Sequence, residues 1–257
     1  MKPSSKQLKD SLRQMINRLG IDIYRTKATE LGGFIYEPVK PLSATYAPWA
    51  MDKDFQQIYA AVQDHTFVDK YRCYELWTLV EQSGKLDGGA LIEIGVWRGG
   101  SGAVIARQAK NAGISDLVYL CDTFTGVVKA GPHETTFYKG GEHADTSKEI
   151  VEELVHQRLS LDNVVVLKGI FPDETAHLIA STKFRFCHID VDTYQSAKDV
   201  VEWIWEKMVP GGIIVFDDYG CKYCEGVTQY VEELRLLPNR LLFHNVNGHA
   251  VLIKTGE

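Results

Sequence analysis

FRFCHIDVDTY, residues 184–194, opens as an apolar run and stops abruptly at two carboxylates, Asp190 and Asp192. In an open α/β sheet, ligands bind in the crevice beyond the carboxyl ends of the strands, so a strand that ends on acids puts charge where chemistry sits. A second run, GGIIVF (211–216), shows no clean alternation and reads as a buried parallel strand. It ends on Asp217 and Asp218. Four carboxylates are therefore expected on one rim. Two like charges about 4 Å apart, at an effective dielectric near 20, repel by roughly 4 kcal/mol. A positive partner is required, and a hard cation held by a few carboxylates and waters, Mg²⁺, fits. A single Asp in such a place also serves as the cap of the next helix. Four together go beyond what capping needs.

Outward from these two strands the chain alternates regularly. Strands are expected at 90–95, 117–122, 163–168, 184–190 and 212–217, with helices at 101–112, 146–160, 173–181, 195–208 and 224–236 between and after them. Strands separated by helices at this spacing form right-handed βαβ units and a parallel sheet. Two last strand-like runs, 241–246 and 249–253, flank Asn247 and Gly248, a hairpin signal. The expected fold is α/β, and a parallel sheet finished by an antiparallel hairpin resembles, by fold analogy, the Rossmann-like layout of class I methyltransferases. The fold has a mostly parallel seven-stranded sheet, a C-terminal antiparallel hairpin and an N-terminal helical extension.

That extension, residues 1–84, meets the catalytic domain, 85–257, at a boundary near Gly84, and the two are expected to pack as one unit. Leu8, Leu12, Ile16 and Leu19 fall at helical spacing within 5–19 and make an amphipathic helix. Its stripe suits either the chain's own core or a second subunit, and a homo-oligomer, dimer or higher, is expected. Residues 32–50 are rich in Gly, Pro and Tyr and read as irregular. Two helical pieces, FQQIYAAVQ and FVDKYRCYELWTLVEQ, deliver the chain to the first strand.

A net charge of −6 argues against nucleic acid as a partner, since that binding needs a basic footprint. No apolar run approaches a membrane span and the start lacks a signal-peptide core, so a cytoplasmic protein is expected. Five cysteines, Cys73, Cys121, Cys187, Cys221 and Cys224, are an odd number without a disulfide framework. The lone CxxC at 221–224 lacks the second ligand pair a zinc site needs.

The first strand runs into LIEIGVWRGGSG, with the spacing E-x-G-x-x-x-G rather than the GxGxxG of a dinucleotide fingerprint. This matches the first motif of S-adenosylmethionine enzymes. Gly95, Gly99 and Gly100 let the backbone pass beneath the donor, and Glu93 supplies negative charge for its ammonium group. Asp122 ends the second strand where Rossmann-like folds put an acid to grip a ribose diol. A rim of carboxylates suits a cationic sulfonium and a metal, and suits a diphosphate badly. The segment 123–145 reads as a lid whose closure excludes water. His133 and His143 within it are read as solvated, and His188 as a satisfied core residue.

Together these residues resemble a known family, the macrocin O-methyltransferase type. Its members methylate sugar hydroxyls of macrolide, aminocoumarin and related natural products with S-adenosylmethionine and Mg²⁺. The resemblance rests on EIGVWRGG (93–100), CDTF (121–124), GIFPDET (169–175), HIDVDTY (188–194) and GGIIVFDDY (211–219), and covers residues 65–257. It implies that Asp190, Asp217 and Asp218 are metal ligands and Asp192 the general base. It further implies that Thr66, Glu93, Asp122 and Thr123 hold the donor above the Gly95–Gly100 turn, and that the acceptor is a glycosylated small molecule. One departure concerns the lid: Asp122-Thr123-Phe124 leads into Gly126, Val127 and Val128 where the family often has a Gly-Phe-Pro turn. The first 60 residues match weakly and are where acceptor recognition is sought. Rival readings are a catechol-type O-methyltransferase, an NAD-dependent oxidoreductase and a non-catalytic binding subunit. An amide-Pro-Pro-aromatic motif of nucleic-acid methyltransferases is absent from the fourth strand's end.

Overall fold

The computed structural model of the chain describes residues 29–31, 33–36 and 46–256. The helix expected over 5–19 and most of the 32–50 stretch lie outside those residues. By its packing the chain divides after Thr45. In the first unit, β1 (Thr29–Leu31) pairs antiparallel with β2 (Phe34–Tyr36), strands that the Gly-rich composition did not signal.

The second unit begins with α1 (Lys53–Val62) and α2 (Lys70–Ser83). Each starts at an Asp. Asp52 accepts from the Phe55 amide at 2.9 Å, and Asp69 accepts from the Tyr71 and Arg72 amides at 2.8 and 3.2 Å, satisfying donors that a helix start leaves free. Phe55, Ile58, Val62, Leu76, Trp77 and Val80 on these helices are buried in the core shared with the sheet. Residues 46–84 thus share one core with the sheet across the expected boundary near Gly84, in keeping with the two parts packing as one unit.

The sheet comprises β3 (Ala90–Ile94), β4 (Val118–Asp122), β5 (Val164–Lys168), β6 (Phe184–Ile189), β7 (Met208–Phe216), β8 (Arg240–His244) and β9 (Ala250–Lys254). Their order is β5-β4-β3-β6-β7-β9-β8, all parallel except for β9, antiparallel to its neighbours β7 and β8. This is the expected seven-stranded sheet with a C-terminal hairpin. Helices cover both faces, so the central strands β3 and β6 and the second half of β7 are buried twice over and read as near-continuous apolar runs. Leu91, Phe186, Val215 and Val251 meet α1, α2 and α3 (Gly100–Asn111) on one face. Ile92, Cys187, Ile214 and Leu252 meet α5 (Tyr194–Ile204) and α6 (Glu225–Leu234) on the other. Between β4 and β5, α4 (Lys148–Glu152) continues as a wider π turn over Glu153–Arg158. The helix expected over 173–181 shrinks to a 3₁₀ turn, Ala176–Ile179. Among the described residues no helix is long and apolar enough to cross a membrane.

The strand order reverses between β3 and β6, and their carboxyl ends define a crevice. Gly95 sits where the two chains separate. A Cβ there would fall 1.7 Å from the Asp190 carbonyl oxygen, and its φ of +85° is open only to glycine at low cost.

Candidate active site

A cavity of about 280 Å³ opens at this crevice. Its floor is the turn after β3, Gly95–Trp97, and its walls come from the ends of β4, β6 and β7 together with Thr66, Phe67 and Arg72. Asp190, Asp192, Asp217 and Asp218 all line it, which brings together the four carboxylates expected from two separate stretches of sequence. Gly95, Thr66, Asp122 and Thr123 line it as well. Gly99, with φ +85°, is the N-cap of α3, and Gly100 is that helix's first residue.

The acids differ sharply in their surroundings. Burial pushes the Asp190 and Asp218 carboxyls well above the ordinary range, and the neighbouring carboxylates push the same way. Asp192 is pushed up to about 7, chiefly by burial, against a hydrogen bond from the Tyr138 hydroxyl. Its backbone is held at φ +64°, and its amide donates to Asp218 Oδ2 at 2.9 Å. Asp tolerates the left-handed region better than most residues, and such strain gathers at working sites. Asp217 goes the other way. Burial raises it, but His188, His249 and the Arg72 guanidinium more than reverse this and hold it well below the usual carboxylate range.

Part of the positive charge that this rim demands is therefore built in. Arg72 ion-pairs with Asp217 and is itself gripped by Asp69 Oδ2 at 2.9 Å and the Phe67 carbonyl at 3.2 Å. Room for more remains. Asp190, Asp217 and Asp218 each offer an oxygen, all within 4.8 Å of one another. Hard oxygen donors, two of them crowded into a state that disfavours their own charge, match what a divalent cation such as Mg²⁺ requires.

On the donor side, Glu93 and Asp122 both have partners within the protein. Glu93 does not line the cavity: it is fully buried on the α3 side of the sheet, with Oε1 2.7 Å from His188 Nδ1. It sits beside His188 because β3 and β6 pair in that register. Gly102 leaves room for it, since a Cβ there would lie 2.5 Å from Glu93 Oε2. Asp122 is at the rim as expected, but its carboxylate accepts three backbone amides, from Val96 (2.8 Å), Trp97 (2.9 Å) and Phe124 (2.7 Å). With roughly four lone-pair sites on a carboxylate, one is left for a further donor. Thr123 spends its hydroxyl on the turn, donating to the Gly126 carbonyl at 2.9 Å and accepting from the Thr125 amide at 3.1 Å.

The segment 123–145 forms a cover pinned at two helix starts. Glu134 accepts from the Tyr194 amide at the start of α5 (2.8 Å), and Glu225 at the start of α6 accepts from the Thr135 amide (3.0 Å). His133 stacks on Tyr194 at 3.9 Å. His143 reaches the cavity and lies 3.3 Å from the Tyr138 hydroxyl. Opposite, Trp97 stacks on Phe67 at 4.1 Å, an aromatic wall that sequence patterning did not flag. All five cysteines are free thiols. Cys224 lies against the acids, its thiol 3.4 Å from Asp218 Oδ1.

Comparison with known proteins bears on the family and the fold. The family model described as macrocin-O-methyltransferase (TylF) matches residues 50–251. The 8-demethyl-8-(2,3-dimethoxy-alpha-L-rhamnosyl)-tetracenomycin-C 4'-O-methyltransferase of Streptomyces olivaceus is 29% identical over 170 residues, 62% of this chain and 64% of that protein. The match thus spans just under two thirds of that relative's length. The mycinamicin III 3''-O-methyltransferase of Micromonospora griseorubida is 31% identical over 180 residues, 65% of this chain and 70% of that protein. Among solved structures, the O-methyltransferase NovP superposes with a TM-score of 0.63 at 23% identity, over 75% of this chain and 83% of that one. The calicheamicin methyltransferase CalS11 gives 0.56 at 16%, over 82% and 94%. At these identities the structural matches speak to the fold.

Proposed function

Since this chain belongs to the macrocin-O-methyltransferase family, we propose that it is an S-adenosylmethionine- and divalent-cation-dependent O-methyltransferase acting on a sugar hydroxyl of a glycosylated natural product. The observation that carries this reading is the gathering of Asp190, Asp192, Asp217 and Asp218 on one cavity, one of them tuned to near neutrality. Sugar-directed relatives, one acting on a rhamnosyl tetracenomycin, favour a glycoside over a free catechol.

Asp190, Asp217 and Asp218 would hold Mg²⁺. When bound, the cation supplies Lewis acidity to an acceptor oxygen and the donor supplies an electrophilic sulfonium methyl. The protein's own residues do the rest. Asp192 takes the acceptor's hydroxyl proton onto its carboxylate, and the Tyr138 hydroxyl, hydrogen-bonded to that carboxylate, fixes its orientation. The turn at Gly95–Trp97 and the Phe67–Trp97 wall position the reactants, and the cover over 123–145 keeps water from the reacting atoms.

The test is incubation of the full chain with S-adenosylmethionine and Mg²⁺ against a panel of glycosides and catechols, read by mass spectrometry. A mass gain of one methylene on a sugar is expected; methylation confined to catechols, or none at all, overturns the reading. The pH profile follows from Asp192. Its base form is the carboxylate, which is lost as pH falls through a value raised to about 7. We therefore expect kcat/KM to decline on the acid side, with an apparent pKa at or below about 7 that a nearby cation draws downward, and to level off above it. The same acid limb in Asp192→Asn would assign it to another group.

A further inference from the structure

His249, at the start of β9, has a fully buried ring lodged between two carboxylates: Nε2 is 2.9 Å from Asp217 Oδ1 and Nδ1 is 2.9 Å from Glu75 Oε2. Glu75, on α2, also accepts the side-chain amides of Asn245 and Asn247. One carboxylate on a helix thus gathers three side chains of the β8–β9 connection. This explains why that connection is longer than the two-residue turn its Asn-Gly suggests: the pairing runs out after His244 and resumes at Ala250.

Resting on the reading of Asp217 as a cation ligand, we propose that Glu75 and His249 are positioning residues that set the orientation of the Asp217 carboxylate toward the divalent site. Asp217 stands just past the end of β7, buried at the rim of the cavity. His249 fixes Oδ1 and Arg72 fixes Oδ2, so the plane of the carboxylate is defined from two sides. Its remaining lone pairs then serve the oxygen set shared with Asp190 and Asp218. Outer partners of this sort orient metal-binding side chains, and losing one typically weakens metal affinity 10–100-fold.

A rival arrangement is close at hand, because His188, His249 and Asp217 also present ligand atoms within 4.8 Å of each other. One observation opposes an ion there: the direct 2.9 Å contact between His249 Nε2 and Asp217 Oδ1 is hydrogen-bond geometry.

The test is Mn²⁺ binding to the full chain, followed by electron paramagnetic resonance, in wild type, Glu75→Gln, His249→Leu and His249→Gln. Glu75→Gln and His249→Leu are expected to weaken Mn²⁺ by about 10–100-fold while S-adenosylmethionine affinity, which reports the intact fold, stays unchanged. His249→Gln keeps an N–H near the place of Nε2 and should recover most of the loss, which a purely structural role would not predict. Should His249→Leu fail to fold, the partly exposed Glu75→Gln decides. Unchanged Mn²⁺ affinity in Glu75→Gln and His249→Leu overturns the proposal alone. Absence of Mn²⁺ binding by wild type overturns the cation reading and the proposal with it. One equivalent of a transition metal in the purified protein, lost on replacing His188, overturns it in favour of a histidine-bound ion.

Discussion

Replacing Asp192 with Asn is expected to lower methyl transfer by about 10²–10⁴-fold, the scale of a lost acid–base group, with S-adenosylmethionine binding nearly intact. The substitution is mild as structure goes. Asn is among the residues that tolerate a left-handed backbone, and φ at this position is +64°. Its amide oxygen can still accept from Tyr138, and the backbone amide that donates to Asp218 is untouched. What disappears is the ability to accept a proton at neutral pH. A sugar hydroxyl is a poor nucleophile until it loses that proton, so the deficit should appear in single-turnover rates and not in the donor's dissociation constant by calorimetry. Turnover at the wild-type rate would move the base elsewhere, with His143, joined to the same Tyr138, next to be tested.

Why the rim was legible, and much of its support was not, follows from where the information lies. Asp190 and Asp192 end one apolar run and Asp217 and Asp218 end another, and parallel strands of an α/β sheet bring such ends together whatever the details. Glu93 shows the limit of a motif. Its place before Gly95 reads the same whether its side chain faces a ligand or a neighbouring strand, and only the pairing of Glu93 with His188 decides. Arg72, Glu75 and His249 belong to contacts spanning 145 and 174 residues of sequence, with no local pattern to announce them. The cover over 123–145 was visible as a long Gly- and Thr-rich stretch. Its anchors, Glu134 and Glu225, carry no local signal, because each meets a backbone amide of another element.

Asp218→Asn is expected to stabilise the metal-free protein while removing most of its activity. In the folded chain Asp218 is buried, and burial first, then Asp192 and Asp217, push its carboxyl well above the ordinary range. A carboxyl whose folded value exceeds its unfolded one binds its proton more tightly when folded, so stability falls as pH rises across that interval. Near neutrality the metal-free protein carries this cost. Asn removes the charge and keeps an acceptor for the Asp192 amide, and each kcal/mol of relief should raise Tm by roughly 2–4 °C in a domain of this size. The wild type should recover its stability another way. A cation at about 100 times its Kd contributes roughly 2.7 kcal/mol by mass action, an increment that Asp218→Asn, lacking one of three ligands, should largely forfeit. Activity should drop on the order of 10³-fold, since a bound cation is worth several kcal/mol of charge stabilisation at a reacting oxygen. Thermal unfolding of both proteins with EDTA and with Mg²⁺ separates the two effects. Equal midpoints in all four samples would mean that these carboxylates are not under the mutual strain that a cation relieves. A lower midpoint for the metal-free variant would mean that Asp218 stabilises the fold by itself, so that the rim was built for structure before chemistry.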